Sequence, residues 1–356
     1  MKNINHDEMT PNERRQALAQ GRPVDRIPCV PKIGNVAARY IGVHVRDMLA
    51  SAELTAAAQI QAYQLLHHDA VGVCLGMHPL ARALGGTMTN PLDDNPAMLQ
   101  SPVKDEKDLE RLDLAALDRD KFIQTTLTAA RILQDKVGKE VTPGVVIGGP
   151  FTVAASLRGT EFLLRDVIRN PEFAHRVISF ALQAIIHVVI PFIKEGIIPA
   201  IVDPVASGSV LNVKKAWEFA FSYTQKLIDE FKKYTPGVSL HVCGKTTRLL
   251  EMMAATGASS LSLDNSVDLL EAKRLVGHRV ALSGNVDPVN VMALGNPETV
   301  RLAVKDCLQR AWDTPRGYIL AAGCDLPLTT PLENIAALVE AARIYGRWPL
   351  DPRNFA

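Results

Sequence analysis

Apolar runs of strand length alternate with helix-length stretches along nearly the whole chain. Eight runs read as strands: Ile27–Pro31, Ala70–Leu75, Gly144–Gly149, Pro199–Asp203, Val238–Cys243, Ser260–Asp264, Arg279–Gly284 and Tyr318–Gly323. Several are apolar at successive positions rather than alternating, as expected when helices cover both faces of a parallel sheet. The segments between them read as helices: Ala50–Leu66, Lys121–Val137, Pro171–Glu195, Lys214–Tyr234, Thr246–Thr256, Asp268–Val276, Pro297–Trp312 and Leu332–Tyr345. This repeated alternation predicts an α/β fold, a single (β/α)8 TIM barrel. A doubly wound open sheet is the alternative. Its dinucleotide-binding version is disfavoured because no GxGxxG turn follows the first strands.

Two segments stand outside the rhythm. Residues 1–25 form an N-terminal extension in which Thr10, Pro11 and Glu13 predict a capped helix. Residues Gly85–Leu112, after the second strand, are polar and rich in Pro, Asn and Asp, and too long for a routine connection. They read as an inserted loop that either covers the barrel mouth or lies solvated on the surface. With no repeat, low-complexity tract or linker, the whole of 1–356 reads as one domain.

Composition narrows the partners. Lys+Arg 39 against Asp+Glu 38 gives a net charge of +1, which favours neither nucleic acid nor an anionic membrane. Cysteines 29, 74, 243, 307 and 324 are irregularly spaced, as in a reducing compartment rather than a disulfide framework. The N-terminus lacks a signal-peptide core, and the most apolar stretch, Phe180–Ile193, is short and interrupted by Gln183 and His187. A cytoplasmic location with no membrane contact is expected.

In a barrel of this type, polar residues at the C-terminal strand tips carry the chemistry. His241 and Cys243, two apart in one strand, project from the same face. Cys324 ends the last strand and offers a third donor. One nitrogen and two thiolates suit tetrahedral Zn²⁺, with a fourth position left for substrate. Asp203 and Asp264 are candidate catalytic carboxylates at neighbouring tips. Alternatively, Asp203 caps the turn after it and Asp264 closes an Asx turn with Asn265. Asn285, at the seventh tip, is a candidate cofactor contact. His67-His68-Asp69 reads as a solvated cap on a helix end, His44 and His278 as surface residues, and Cys29, Cys74 and Cys307 as buried small hydrophobes.

Several stretches carry a resemblance: Gly149-Pro-Phe-Thr-Val-Ala-Ala-Ser, Asp203-Pro-Val-Ala-Ser, His241-Val-Cys-Gly-Lys-Thr-Thr, Ser283-Gly-Asn-Val-Asp-Pro, Ala322-Gly-Cys-Asp and Thr330-Pro-Leu-Glu-Asn-Ile. Through them the chain resembles the uroporphyrinogen decarboxylase superfamily over nearly its full length. The nearer match is its branch of corrinoid-dependent methyltransferases, typified by methylcobamide:coenzyme M methyltransferase. The resemblance implies a (β/α)8 fold and zinc on His241, Cys243 and Cys324. It also implies an acidic residue at Asp264 beside the metal, where the coenzyme M enzymes carry Glu. The decarboxylase proper fits poorly, since only Ala38-Arg39-Tyr40 survives of its arginine-bearing signature and few cations converge at the strand tips.

The expected activity is zinc-dependent methyl transfer from methylcob(III)alamin, carried by a corrinoid partner protein, to a small thiol or similar acceptor. The alternative is the reverse half-reaction, which demethylates a methyl ether, methanol-like or halomethane substrate onto cob(I)alamin. A decarboxylase and a non-catalytic zinc-binding barrel are the remaining readings.

Overall fold

The computed structural model describes residues 7–207 and 211–355. In chain order the strands are β1 (Cys29–Val30), β2 (Gly72–Gly76), β3 (Thr87–Met88), β4 (Met98–Gln100), β5 (Gly144–Gly148), β6 (Ile198–Val202), β7 (Ser239–Val242), β8 (Ser260–Leu263), β9 (Ala281–Val286) and β10 (Tyr318–Ala322). Eight of them curl into one sheet in the order β1-β10-β9-β8-β7-β6-β5-β2, while β3 and β4 form a separate antiparallel pair. All pairings in the large sheet are parallel. Helices connect the strands and the fold is a TIM-type barrel.

Continuous apolar runs form these strands because both faces are covered. Val145, Ile147, Ile201, Leu240, Val242, Leu261, Leu263, Leu282 and Leu320 all have 0% exposure. Strand β1 is only two residues long, against the five expected. Pro28 and Pro31 bracket it, and neither can donate to a ladder. At the seam between β1 and β2, Asp69 takes the place of a ladder. Its amide donates to Cys29 O (2.9 Å), and its Oδ2 accepts from the Cys29 amide (2.7 Å).

Asp69 also anchors the N-terminal helix Pro11–Ala19, whose capping box joins Thr10 and Glu13 as expected. The Arg14 side chain is fully buried and pairs with both Asp25 and Asp69. Arg26 pairs with Asp69 and Asp7, and Arg343 with Asp7. These charges lie at the N-terminal end of the barrel, away from the strand tips. His68 beside them corrects the expectation of a solvated cationic cap: it is 2% exposed, and burial pushes its pKa down to about 4.

The insertion after β2 has structure of its own, the β3–β4 hairpin and a helix at Glu106–Glu110. Its two-residue and three-residue strands are too short to show a sequence period. It packs on segments that follow strand tips: Asn35 donates to Asn95 Oδ1 (2.7 Å), and the Val103 amide to Leu157 O (3.0 Å). The helix expected over Lys214–Tyr234 is divided, with a wide π-turn at Trp217–Phe221 between Val213–Ala216 and Ser222–Phe231. The apolar stretch around Phe180 extends back to Pro171, giving a 24-residue helix long and apolar enough to cross a membrane. It packs instead against Pro150–Arg158 and Ser222–Phe231, and 56% of its apolar window is buried.

Candidate metal centre at the strand tips

Strand β7 places His241 opposite Ser262 of β8, and Cys243 follows two residues later on the same face. Cys324 stands two residues beyond the end of β10. The His241 Nε2 lies 3.3 Å from Cys243 Sγ, and the two sulfurs are 3.9 Å apart. All three donor atoms lie within 4.8 Å of one another. Zinc bonds of about 2.3 Å to sulfur and about 2.0 Å to nitrogen give tetrahedral edges of roughly 3.8 Å (S···S) and roughly 3.5 Å (N···S). The donor set and its spacing fit a zinc ion.

The imidazole is already oriented for a metal. Its Nδ1 lies 3.0 Å from both Ser262 O and Ser262 Oγ. A carbonyl oxygen can only accept, so Nδ1 carries the proton and Nε2 presents its lone pair to the thiols. Ser262 Oγ in turn accepts from Lys32 Nζ at 2.6 Å, and Lys32 also reaches Gly323 O at 3.3 Å. Burial lowers the Lys32 pKa, and Asp325, Cys324, Cys243 and Asp264 offset only part of that fall.

Without metal, the two thiols share a proton. The hydrogen bond to Cys324 and burial push Cys243 up, whereas the hydrogen bond from Cys243 pushes Cys324 down. One thiol of the pair is therefore predisposed to the thiolate form that binds zinc. Asp325, next to Cys324, is open to solvent yet walled by protein; that crowding pushes its carboxyl up and Lys32 pulls it down.

Asp264 borders the cluster but is not one of its three donors. Its Oδ2 accepts from the Gly244 amide (2.8 Å), and its Oδ1 from Ser266 N (2.8 Å) and Ser266 Oγ (2.7 Å). The Asx turn thus runs to Ser266 rather than Asn265. Gly244 holds φ +79°, a left-handed turn that suits glycine and lets its amide face Asp264. Burial alone would raise the Asp264 pKa; the Gly244 and Ser266 bonds win and lower it.

Asp203 and Asn285 are engaged by groups other than the three donors. The Asp203 carboxylate is fully buried and takes the Thr152 amide (2.9 Å) and hydroxyl (2.5 Å) on Oδ1, at the start of helix Pro150–Arg158. Its Oδ2 has no partner among the described residues, and burial pushes its pKa up to about 6. Asn285 donates from Nδ2 to Asp264 O (2.9 Å) and Val267 O (2.7 Å), so its amide braces the loop after β8. Cys29 and Cys307 are buried as expected, but Cys74 is partly exposed.

Lys32 and Ser262 escaped the reading of the sequence. Lys32 lies in Pro31-Lys-Ile-Gly, just past a strand and therefore at the mouth. Ser262 alternates with Ser260 in an otherwise apolar strand, and a buried hydroxyl calls for a partner.

Residues 10–345 match the family model described as uroporphyrinogen decarboxylase (URO-D). The methylcobamide:CoM methyltransferase MtbA of Methanosarcina mazei is 31% identical over 346 residues, covering 95% of this chain and 99% of the relative. The methylcobamide:CoM methyltransferase MtaA of Methanosarcina barkeri is 28% identical, with 95% and 99% covered. A uroporphyrinogen decarboxylase of Legionella pneumophila is 26% identical, over 77% of this chain and 74% of its own length. Among solved structures, a methyltransferase from Methanosarcina mazei superposes with a TM-score of 0.84 at 26% identity, covering 94% of this chain and 98% of its own.

Proposed function

Since this chain belongs to the uroporphyrinogen decarboxylase family, we propose that it is a corrinoid-linked methyltransferase that moves a methyl group from methylcob(III)alamin on a partner protein to a small thiol. The observation that carries this reading is the meeting of His241 Nε2, Cys243 Sγ and Cys324 Sγ at zinc-like spacing, at the strand tips. Relatives named methylcobamide:CoM methyltransferases, aligned along 95% of the chain, supply the reaction class.

Zinc bound there would hold a substrate thiol as thiolate at pH values where the free thiol keeps its proton. The residues supply the rest. His241, Cys243 and Cys324 would provide three ligands to the metal, and a substrate sulfur would be the fourth. Two thiolates offset the metal charge, so the bound sulfur stays electron-rich. Asp264 fixes the turn that carries Cys243. The methyl carbon must come within bonding distance of that sulfur. The corrinoid therefore has to approach over the strand tips, beside the β3–β4 hairpin.

Decarboxylation of a polycarboxylate has little support from the mouth. Arg39, the arginine of the surviving Ala38-Arg39-Tyr40 match, is occupied by the carbonyls of Leu328 (3.0 Å) and Thr330 (2.6 Å).

The test is incubation of zinc-loaded protein with methylcob(III)alamin and a panel of thiols, with mass spectrometry of the thioether product. Thioether formed by wild type and lost in Cys243→Ala and Cys324→Ala, which should also lose zinc, is the expected result. No thioether from any thiol, together with methylation of cob(I)alamin by a methyl ether or methanol, would reverse the assigned direction.

A further inference from the structure

We propose that Lys32 is a positioning residue of the metal centre: it holds the His241 ring through Ser262 Oγ and steadies the strand tip that bears Cys324 through Gly323 O. This rests on the metal centre of the proposed function. The ammonium donates to Ser262 Oγ at 2.6 Å, and that oxygen is 3.0 Å from His241 Nδ1. The same ammonium lies 3.3 Å from the carbonyl of Gly323, the residue before Cys324. One side chain from the end of β1 therefore reaches supports of ligands carried by two other strands.

The backbone gives an independent reason to single it out. Lys32 has φ +58°, a left-handed conformation that a non-glycine residue rarely adopts. Such a conformation persists only where its surroundings over-determine it. Gly34, at φ +50°, repeats the left-handed turn two residues later.

Charge supports the same role. Two thiolates and a neutral imidazole leave a zinc site without net charge, and a substrate thiolate would make it negative. Lys32 is a cation whose charged neighbours are Asp325, Cys324, Cys243 and Asp264. An ammonium has three N–H groups, so one remains after Ser262 and Gly323 are served.

The experiment is zinc release from the metal-loaded full chain into excess 4-(2-pyridylazo)resorcinol. Loss of a residue that orients a metal-bound histidine weakens binding by about tenfold or more, so Lys32→Met and Ser262→Ala should each release zinc about tenfold faster. Because both cut one hydrogen-bonded chain, the double variant should be no faster than the faster single variant. The d–d bands of the Co²⁺-substituted protein should shift the same way in both single variants. Should Lys32→Met fail to fold, Lys32→Gln carries the same expectation. Release at the wild-type rate, or a double variant whose effect is the product of the singles, would overturn the role of Lys32 while leaving the metal centre standing. A wild-type chain that takes up no zinc would overturn both.

Discussion

Asp203 and His68 are buried ionisable groups whose titrations pull stability in opposite directions. The Asp203 pKa rises from 3.8 to about 6, so the folded state holds its proton more tightly. Its contribution is complete below pH 3.8 and lost as pH rises through about 6, worth at most roughly 3 kcal/mol at about 1.4 kcal/mol per unit. His68 falls from 6.5 to about 4; its contribution is complete above pH 6.5 and lost as pH falls through about 4. Asp203→Asn should therefore make stability climb more steeply between pH 4.5 and 6.5, and His68→Gln less steeply. Urea denaturation of the zinc-free protein at those two pH values checks both signs. Asp264→Asn is expected to behave differently. An amide can accept from Ser266 or from Gly244 but not from both, so one N–H loses its partner. The expected loss is about 1–3 kcal/mol, again by urea denaturation, with looser zinc. At this level the sequence was informative where chemistry is rare: two cysteines and a histidine at strand tips are few enough to notice. It was uninformative for Asp203 and Asn285, because an aspartate at a strand tip reads the same whether it faces the mouth or caps a helix.

The strands and helices were largely readable, because fully covered parallel strands are apolar throughout. Their observed limits differ from the expected ones chiefly at β1, where flanking prolines shorten the ladder. The β3–β4 hairpin was not readable, since two or three residues cannot display a period of two. Nor was the ionic cluster at the opposite end, whose members Asp7, Arg14, Asp25, Arg26, Asp69 and Arg343 come from four separate stretches. That cluster joins the N-terminal helix to the β1–β2 seam through Asp69. Removing one member of a buried ion pair strands its partner, at a cost of roughly 3–5 kcal/mol. Asp69→Asn should lower stability by that amount, as read by denaturation. With the strand tips far from the cluster, zinc content in the surviving folded fraction should be unchanged.

For the molecule as a whole, the N-terminal end of the barrel carries the buried ion cluster and the C-terminal end the candidate metal centre, which matches the division of stability and chemistry typical of this fold. The proposed corrinoid partner must dock on the second of these ends. Crosslinking to a corrinoid carrier should mark the Gly85–Leu112 insertion and the loops after the strands, and crosslinks confined to the other end would exclude that geometry. The central claim is that three side chains hold zinc and leave one position for a substrate sulfur. Zinc-edge X-ray absorption, recorded with and without the thiol that supports turnover, addresses it most directly. On this proposal Cys243 and Cys324 would supply two sulfurs in the resting protein. The account predicts that thiol addition raises the count to three while the single histidine nitrogen stays. An unchanged sulfur count with the thiol bound would contradict it.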